Sequence, residues 1–379
     1  MSAPRSYGWR IATVSGIPVY LGRSWPLIAV IIVAMFGPLI EHPTDPVASP
    51  AYGYLVAVGY ALVLLLSVLA HEGAHAAVAR AVGCRVDRVV ADLWGGHTVY
   101  ESGVTRPGTS ATIAVSGPLA NAALAALGYG AAQVVSDPTA RVIIGALTVS
   151  NLFVAVFNML PGLPLDGGYL VESAVWRITG DRNRGMVFAG HLGRLVTVAV
   201  VAWLVVDIAR SGSTPSIVTM IWILLIAGFL WRGATNAIAV GRTRLRLETI
   251  RVRDVLHPVV TLTLDASAAA VAGALLTVAA ANPLVVAVDA AGRPVGAVDP
   301  RAYAAIPQER RPVVPVSSLI LAPAPGWVVT SDPDDTVTDI VVSIQSSRAD
   351  VVLVQDRAGR LLGYVTVDEI ATRMSSARV

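Results

Sequence analysis

Long, nearly uninterrupted apolar runs fill the chain between residues 25 and 240, whereas the remainder carries short apolar runs broken by Asp, Arg, Gly and Pro. Crossing the hydrocarbon of a bilayer takes about 20 helical residues, because a backbone there has to satisfy its own hydrogen bonds. Six stretches qualify, at about 24–40, 53–82, 110–134, 142–165, 187–207 and 216–236, the first being the shortest. Beyond them, runs such as PLVVAV and VVLVQ each lead into a Gly-containing turn, as strands of a hairpin do. The expected fold is an α-helical polytopic membrane domain over residues 1–240, a basic linker over 241–251, and an α/β region from 252 onward.

The loops between the spans alternate in arginine. Arg5, Arg10 and Arg23 precede the first span, Arg85, Arg88 and Arg106 follow the second, and Arg177, Arg182 and Arg184 follow the fourth. The 41–52 loop has no Arg, and the 135–141 and 208–215 loops have one each, Arg141 and Arg210. Positive charge is retained on the cytoplasmic side, so both termini and the α/β region are expected there.

Composition agrees with a membrane protein and narrows the partners. The 379 residues are 55% hydrophobic and 14% charged, too apolar for a soluble enzyme of this length. The formal charge of +3 rests on arginines scattered among loops, with no Lys in the sequence, so no nucleic-acid partner is expected. Arginine-only basicity with abundant Ala, Val and Gly fits a GC-rich bacterial genome. The N-terminal stretch through Pro18 has no compact apolar core ending in a cleavage site, so no removable signal is expected. The single cysteine, Cys84, has no internal partner for a disulfide and is expected to be a small buried filler.

Chemistry concentrates in the second span, within LAHEGAHAAVAR. His71 and His75 are four residues apart and project from one helical face, the spacing that suits one metal ion. Glu72 lies beside the pair, the arrangement of the H-E-x-x-H zincins, in which zinc acidifies a water to a pKa of about 7 and the Glu takes its proton. Three ionisable residues in an apolar span cost several kcal/mol of insertion energy, which marks them as functional. Catalytic zinc takes three protein ligands, so one more is needed. Asp166 in NMLPGLPLDGGYL is the best candidate, because Pro161, Pro164 and the surrounding glycines interrupt the helix and let an acidic side chain turn inward. The second and fourth spans both run from outside to inside, which places Asp166 at the depth of the histidines. His97 and His191 are rival ligands by residue type.

With HEGAH on one span and FNMLPGLPLDGG ending another, the chain resembles the site-2 protease family of intramembrane metalloproteases (peptidase M50 type). The likeness extends to SGIPVYLGRSW at 15–25, GGHT at 95–98 and SGPLAN at 116–121, and so covers about residues 10–240. It implies one Zn2+ held by His71, His75 and Asp166, Glu72 as base, and Asn121 near the scissile carbonyl. It also implies an extended element over 86–100 at which an unwound substrate could add as a strand. The implied substrate is a transmembrane segment of another protein, such as an anti-sigma-factor-like membrane-bound regulator, cut within the lipid bilayer of the cell membrane.

The α/β region repeats itself at an offset of 67 positions: DAAGRPVGAV at 289–298 aligns with DRAGRLLGYV at 356–365, and Asp265 with Asp332. Two copies, 252–310 and 311–379, resemble a tandem CBS pair, a unit that often binds adenine nucleotide through a Thr or Ser and a later Asp. Here the second copy has Thr366 but Glu369 at the Asp position, and the first has Asp299 and Ala302, so a homodimerisation or docking module stands beside nucleotide binding. A transporter or channel with regulatory CBS domains explains the architecture as well, but leaves HEGAH and LDGG without a purpose.

Overall fold

The computed structural model describes residues 8–40, 51–92, 95–100, 106–212, 215–276, 278, 283–321, 325–347 and 349–376. The chain forms two compact units, Met1–Arg242 and Thr243–Val379.

The first unit begins with a hairpin, β1 (Trp9–Val14) and β2 (Ile17–Leu21). Its two-residue turn, Ser15–Gly16, has positive φ at both positions, 51° and 84°, the geometry that matches strand twist in tight hairpins. After it come α1 (Trp25–Phe36) and α2 (Ala51–Ala81), then β3 (Val86–Asp92) and β4 (Gly95–Tyr100). These strands form one sheet in the order β1-β2-β3-β4, with β2 and β3 parallel and the other pairs antiparallel. The rest is helical: α3 (Pro107–Val134), α4 (Pro138–Asn158), α5 (Asp166–Thr179), α6 (Arg182–Ser211) and α7 (Ile217–Thr249).

Among the described residues five helices are long and apolar enough to cross a membrane, α2, α3, α4, α6 and α7, and the chain is a multi-pass membrane protein. The first of the six expected spans is a 12-residue helix followed by one 3-10 turn at Gly37–Leu39, too short by itself to cross. The expected 142–165 span also ends early, at Asn158, because Pro161 and Pro164 cannot continue a helix. The chain then resumes as α5, an element the apolar pattern did not predict. Side-chain placement is inverted relative to a soluble bundle: Ala57, Ala79, Ala189 and Ala234 are wholly buried between helices, while Leu55, Leu66, Leu127 and Leu224 are more than half exposed. Lipid solvates large apolar groups as well as the interior does, so small residues occupy the helix contacts. The α5–α6 corner is fixed by Gly180 in the left-handed conformation and by Asp181, whose side chain accepts from the amides of Asn183 and Arg184. Fully buried Glu172 on α5 accepts from Arg182 Nε at 2.7 Å across that corner.

The second unit contains α8 (Val252–Val255), β5 (Val259–Thr263), α9 (Ala268–Leu276), β6 (Leu284–Val288), β7 (Pro294–Val298), α10 (Pro300–Ala304) and β8 (Ile320–Leu321). It continues with β9 (Val328–Thr330), α11 (Thr338–Ser347), β10 (Val351–Gln355), β11 (Leu361–Thr366) and α12 (Val367–Ser376). The 67-residue repeat is visible in the registers: Thr263 pairs with Val288, and Thr330 with Gln355. The β6–β7 and β10–β11 turns have the same bonding. Asp289 Oδ1 accepts from the amides of Ala291 and Arg293, and Asp356 Oδ1 from those of Ala358 and Arg360, all at 2.9 Å. These bonds, led by the Arg293 and Arg360 amides, hold both carboxyls below the usual carboxylate range.

Packing crosses the 310/311 boundary of the sequence repeat. Val252 and Val255, at the start of the first copy, are buried with Val337, Ile340, Val352 and Val365 of the second. Val316 and Leu319 reciprocally complete the core around Ala268, Val271 and Ala287. The two copies meet where Val286 and Val288 pack with Leu353 and Tyr364. Helix α7 runs to Thr249, so most of the expected 241–251 linker is helical.

Candidate metal centre

Helix α2 places His71, Glu72 and His75 on its buried side, each less than 9% exposed. Asp166 is the first residue of α5, where an anionic side chain is favoured by the helix dipole. The stretch between α4 and α5 is pressed so closely onto α6 that only glycines fit at Gly162 and Gly193. The break in the helix therefore aims Asp166 back at α2.

Three ligand atoms converge. His71 Nε2 lies 3.1 Å from His75 Nε2 and 3.0 Å from Asp166 Oδ2, and His75 Nε2 lies 3.4 Å from Asp166 Oδ1. One donor atom from each residue lies within 4.8 Å of the others. Tetrahedral zinc with bonds near 2.0–2.1 Å separates its ligands by about 3.3 Å, so the spacing suits such an ion. The hydrogen-bond partners of the two rings agree. His75 Nδ1 donates to Ile113 O at 2.7 Å and His71 Nδ1 to Asn121 Oδ1, which leaves both Nε2 atoms as bare lone pairs. Asp166 Oδ2 is buried and accepts no hydrogen bond from the described residues. With both rings neutral, three lone-pair donors face one another, an arrangement stabilised by a cation at the point they share.

Helix α3 supplies the wall. Gly117 faces both imidazoles, and a Cβ there would lie 2.5 Å from His75 Nε2 and 2.6 Å from His71 Nε2. Ser116 Oγ donates to the same Ile113 carbonyl that orients His75. Glu72 is held from the sheet: Thr98 Oγ1, on β4, lies 2.8 Å from Glu72 Oε2 and 3.1 Å from Glu72 O. Thr98→Ala is expected to retain metal and lower catalytic turnover by about tenfold, read as kcat with KM nearly unchanged, because Glu72 loses the group that orients it. An unaltered kcat would remove Thr98 from this role.

Of the residues singled out in the sequence, His71, His75, Asp166 and Glu72 come together at this point. Asn121 lies behind His71, wholly buried, with Nδ2 donating to Asn151 Oδ1 and Oδ1 turned to the ring. His191 is elsewhere, accepting from Arg242 Nη2 on α7, and among the described residues does not join the cluster. The His97 side chain lies outside the described residues. Cys84 is buried and free, packed with Ala79 and Ile113, as a filler should be. Sequence reasoning passed over Ser67, Gly117 and Asn151. The two polar ones carried a signal in that polar side chains in apolar spans demand partners.

The fold and this cluster define a polytopic membrane protein with a largely buried His–His–Asp group whose atoms are placed to hold a metal ion. Residues 134–202 match the model of peptidase family M50. A protein of Synechocystis sp. assigned by name to the zinc metalloproteases is 31% identical over 251 residues, 66% of this chain and 64% of that relative, so this chain spans just under two thirds of the relative's length. The solved site-2 protease from Methanocaldococcus jannaschii aligns over 61% of this chain and 95% of its own at 17% identity, with a TM-score of 0.45. The CBS domain of a bacterial CNNM/CorC family Mg2+ transporter, solved in complex with ATP, aligns over 36% of this chain at 16% identity, with a TM-score of 0.28. The sequence matches thus liken this chain to the M50 peptidases over residues 134–202 and to a zinc metalloprotease over 251 residues.

Proposed function

We propose that this chain is an intramembrane zinc endopeptidase that hydrolyses a peptide bond in a transmembrane segment of another protein. The observation that carries the proposal is the convergence of His71 Nε2, His75 Nε2 and the Asp166 carboxylate beside Glu72, at the meeting of α2, α3 and α5. Zinc, when bound, would supply Lewis acidity toward the scissile carbonyl and the attacking water. His71, His75 and Asp166 would hold the ion, and Glu72 would take a proton from the water and pass it to the leaving amine. His71, Glu72 and His75 are buried and Asp166 is half-buried, so charge developing at the carbonyl is stabilised in a low dielectric.

The substrate has to be unwound before its backbone can be reached. Strand β4 ends the four-stranded sheet and carries Thr98, so a segment paired along it would lie next to Glu72. This supports substrates that enter as an added strand, among them membrane-bound regulators of the anti-sigma-factor kind. The arginine pattern supports a bacterial plasma-membrane location with both termini cytoplasmic. In the C-terminal unit Thr366 Oγ1 accepts from the Glu369 amide, Glu369 pairs with Arg373, and Asp299 caps α10. The positions at which related units would hold a ribose are thus used internally, which supports homodimerisation or docking over adenine-nucleotide binding.

Purified full-length protein in detergent is expected to contain one zinc per chain by elemental analysis, and His71→Ala to lose it. Wild-type protein without stoichiometric metal would end the proposal.

A further inference from the structure

Behind the metal-ligand atoms a chain of hydrogen bonds joins α2, α3 and α4 through side chains to which the proposed reaction gives no part. Asn151, on α4, is wholly buried, as is Asn121 on α3. Asn151 Nδ2 lies 2.9 Å from Leu147 O and 2.8 Å from Ser67 Oγ on α2, and Asn121 Nδ2 lies 2.7 Å from Asn151 Oδ1. Asn121 Oδ1 meets His71 Nδ1.

The direction of every bond in this chain follows from its first link. A backbone carbonyl only accepts, so the end of the Asn151 amide facing Leu147 O has to be Nδ2. Ser67 Oγ–H is already given to Val63 O at 2.8 Å, so Ser67 accepts from the same Nδ2. Asn151 Oδ1 is thereby turned to Asn121 and can be met only by Nδ2 there. Asn121 then has only Oδ1 left for the ring, an acceptor that demands a proton on His71 Nδ1 and leaves Nε2 bare. Inverting either amide would put donor against donor or acceptor against acceptor in a buried site, at the cost of an unsatisfied polar group.

We infer that Asn151 is a positioning residue that sets the tautomer of His71: it orients the Asn121 amide and so fixes His71 in the Nδ1–H form, the form able to ligate a metal through Nε2. The inference rests on the metal-site reading above. His75 needs no such relay, because Ile113 O contacts its Nδ1 directly. In α2 the four residues from Ser67 to His71 place both ends of the chain one helical turn apart, so the network closes on the helix it serves.

The test measures zinc affinity of full-length protein in detergent by competition with a chromogenic chelator, with a thermal melt of the metal-free form alongside. Asn151→Ala is expected to weaken zinc by about tenfold or more, since Asn121 becomes free to turn its NH2 toward the ring. Adding Asn121→Asp to that variant is expected to restore affinity to within about threefold, because a carboxylate has no donor face to present. A packing defect would instead be deepened by a second buried change. If Asn151→Ala does not fold, imidazole 15N shifts of metal-free wild-type protein decide the matter, with His71 expected as the Nδ1–H tautomer. Unchanged zinc affinity in Asn151→Ala, loss that Asn121→Asp does not restore, or an Nε2–H His71 would each overturn the inference. Wild-type protein that binds no zinc would instead overturn the proposed function, so the two failures are distinguishable.

Discussion

Glu72→Ala leaves one zinc per chain and lowers peptide-bond cleavage on the order of 10³-fold, the scale of a lost general base. Glu72 is outside the ligand cluster, so its removal does not disturb the three groups that hold the ion. Its carboxylate is buried within reach of Thr98 and beside the histidines, where no other acidic group of the cluster is free to replace it. In cells, comparative membrane proteomics of wild-type and Glu72→Ala strains is expected to find an uncut membrane protein accumulating in the variant, which would identify the substrate. Cleavage within about threefold of wild type would assign the base to another residue, and loss of zinc would make Glu72 a ligand.

Gly117→Ala is expected to weaken zinc binding by about 100-fold or more. In an ordinary helical position this substitution stabilises by roughly 1 kcal/mol, because alanine is the better helix former. Here the added methyl would stand 2.5–2.6 Å from ring atoms of both histidines and force the Nε2 atoms away from Asp166. Gly130→Ala, in the same helix with open space around the added carbon, is the matched control and should leave zinc affinity unchanged. The pair is read by chelator competition on the same preparation. Equal affinities for the two variants would place the α3 wall too far from the metal for the proposed site.

Some of this was legible along the chain because it depends on neighbours in sequence. Apolar length located the helices that became α2, α3, α4, α6 and α7, and four-residue spacing put His71 and His75 on one helical face. Proline and glycine around Asp166 announced an interruption, and the 67-residue offset announced two copies of one α/β unit. Hydropathy read residues 142–165 as one apolar element, whereas the two prolines near its end outweigh hydropathy, so the helix stops at Asn158 and a new one starts at Asp166.

What the sequence determined by itself was the membrane class, the repeat and the pairing of His71 with His75, because each follows from composition or from spacing within one element. The tertiary fold decided which acid meets the histidines, that Gly117 is the surface they lie against, that Thr98 reaches Glu72 from a strand, and that Asn121 and Asn151 stand behind His71. It also decided that Val252 completes the core of the second copy and Val316 that of the first. The physical reason is common to all of these: distances across helices and strands are set by how closely side chains pack, and that packing is a property of residues far apart in the chain.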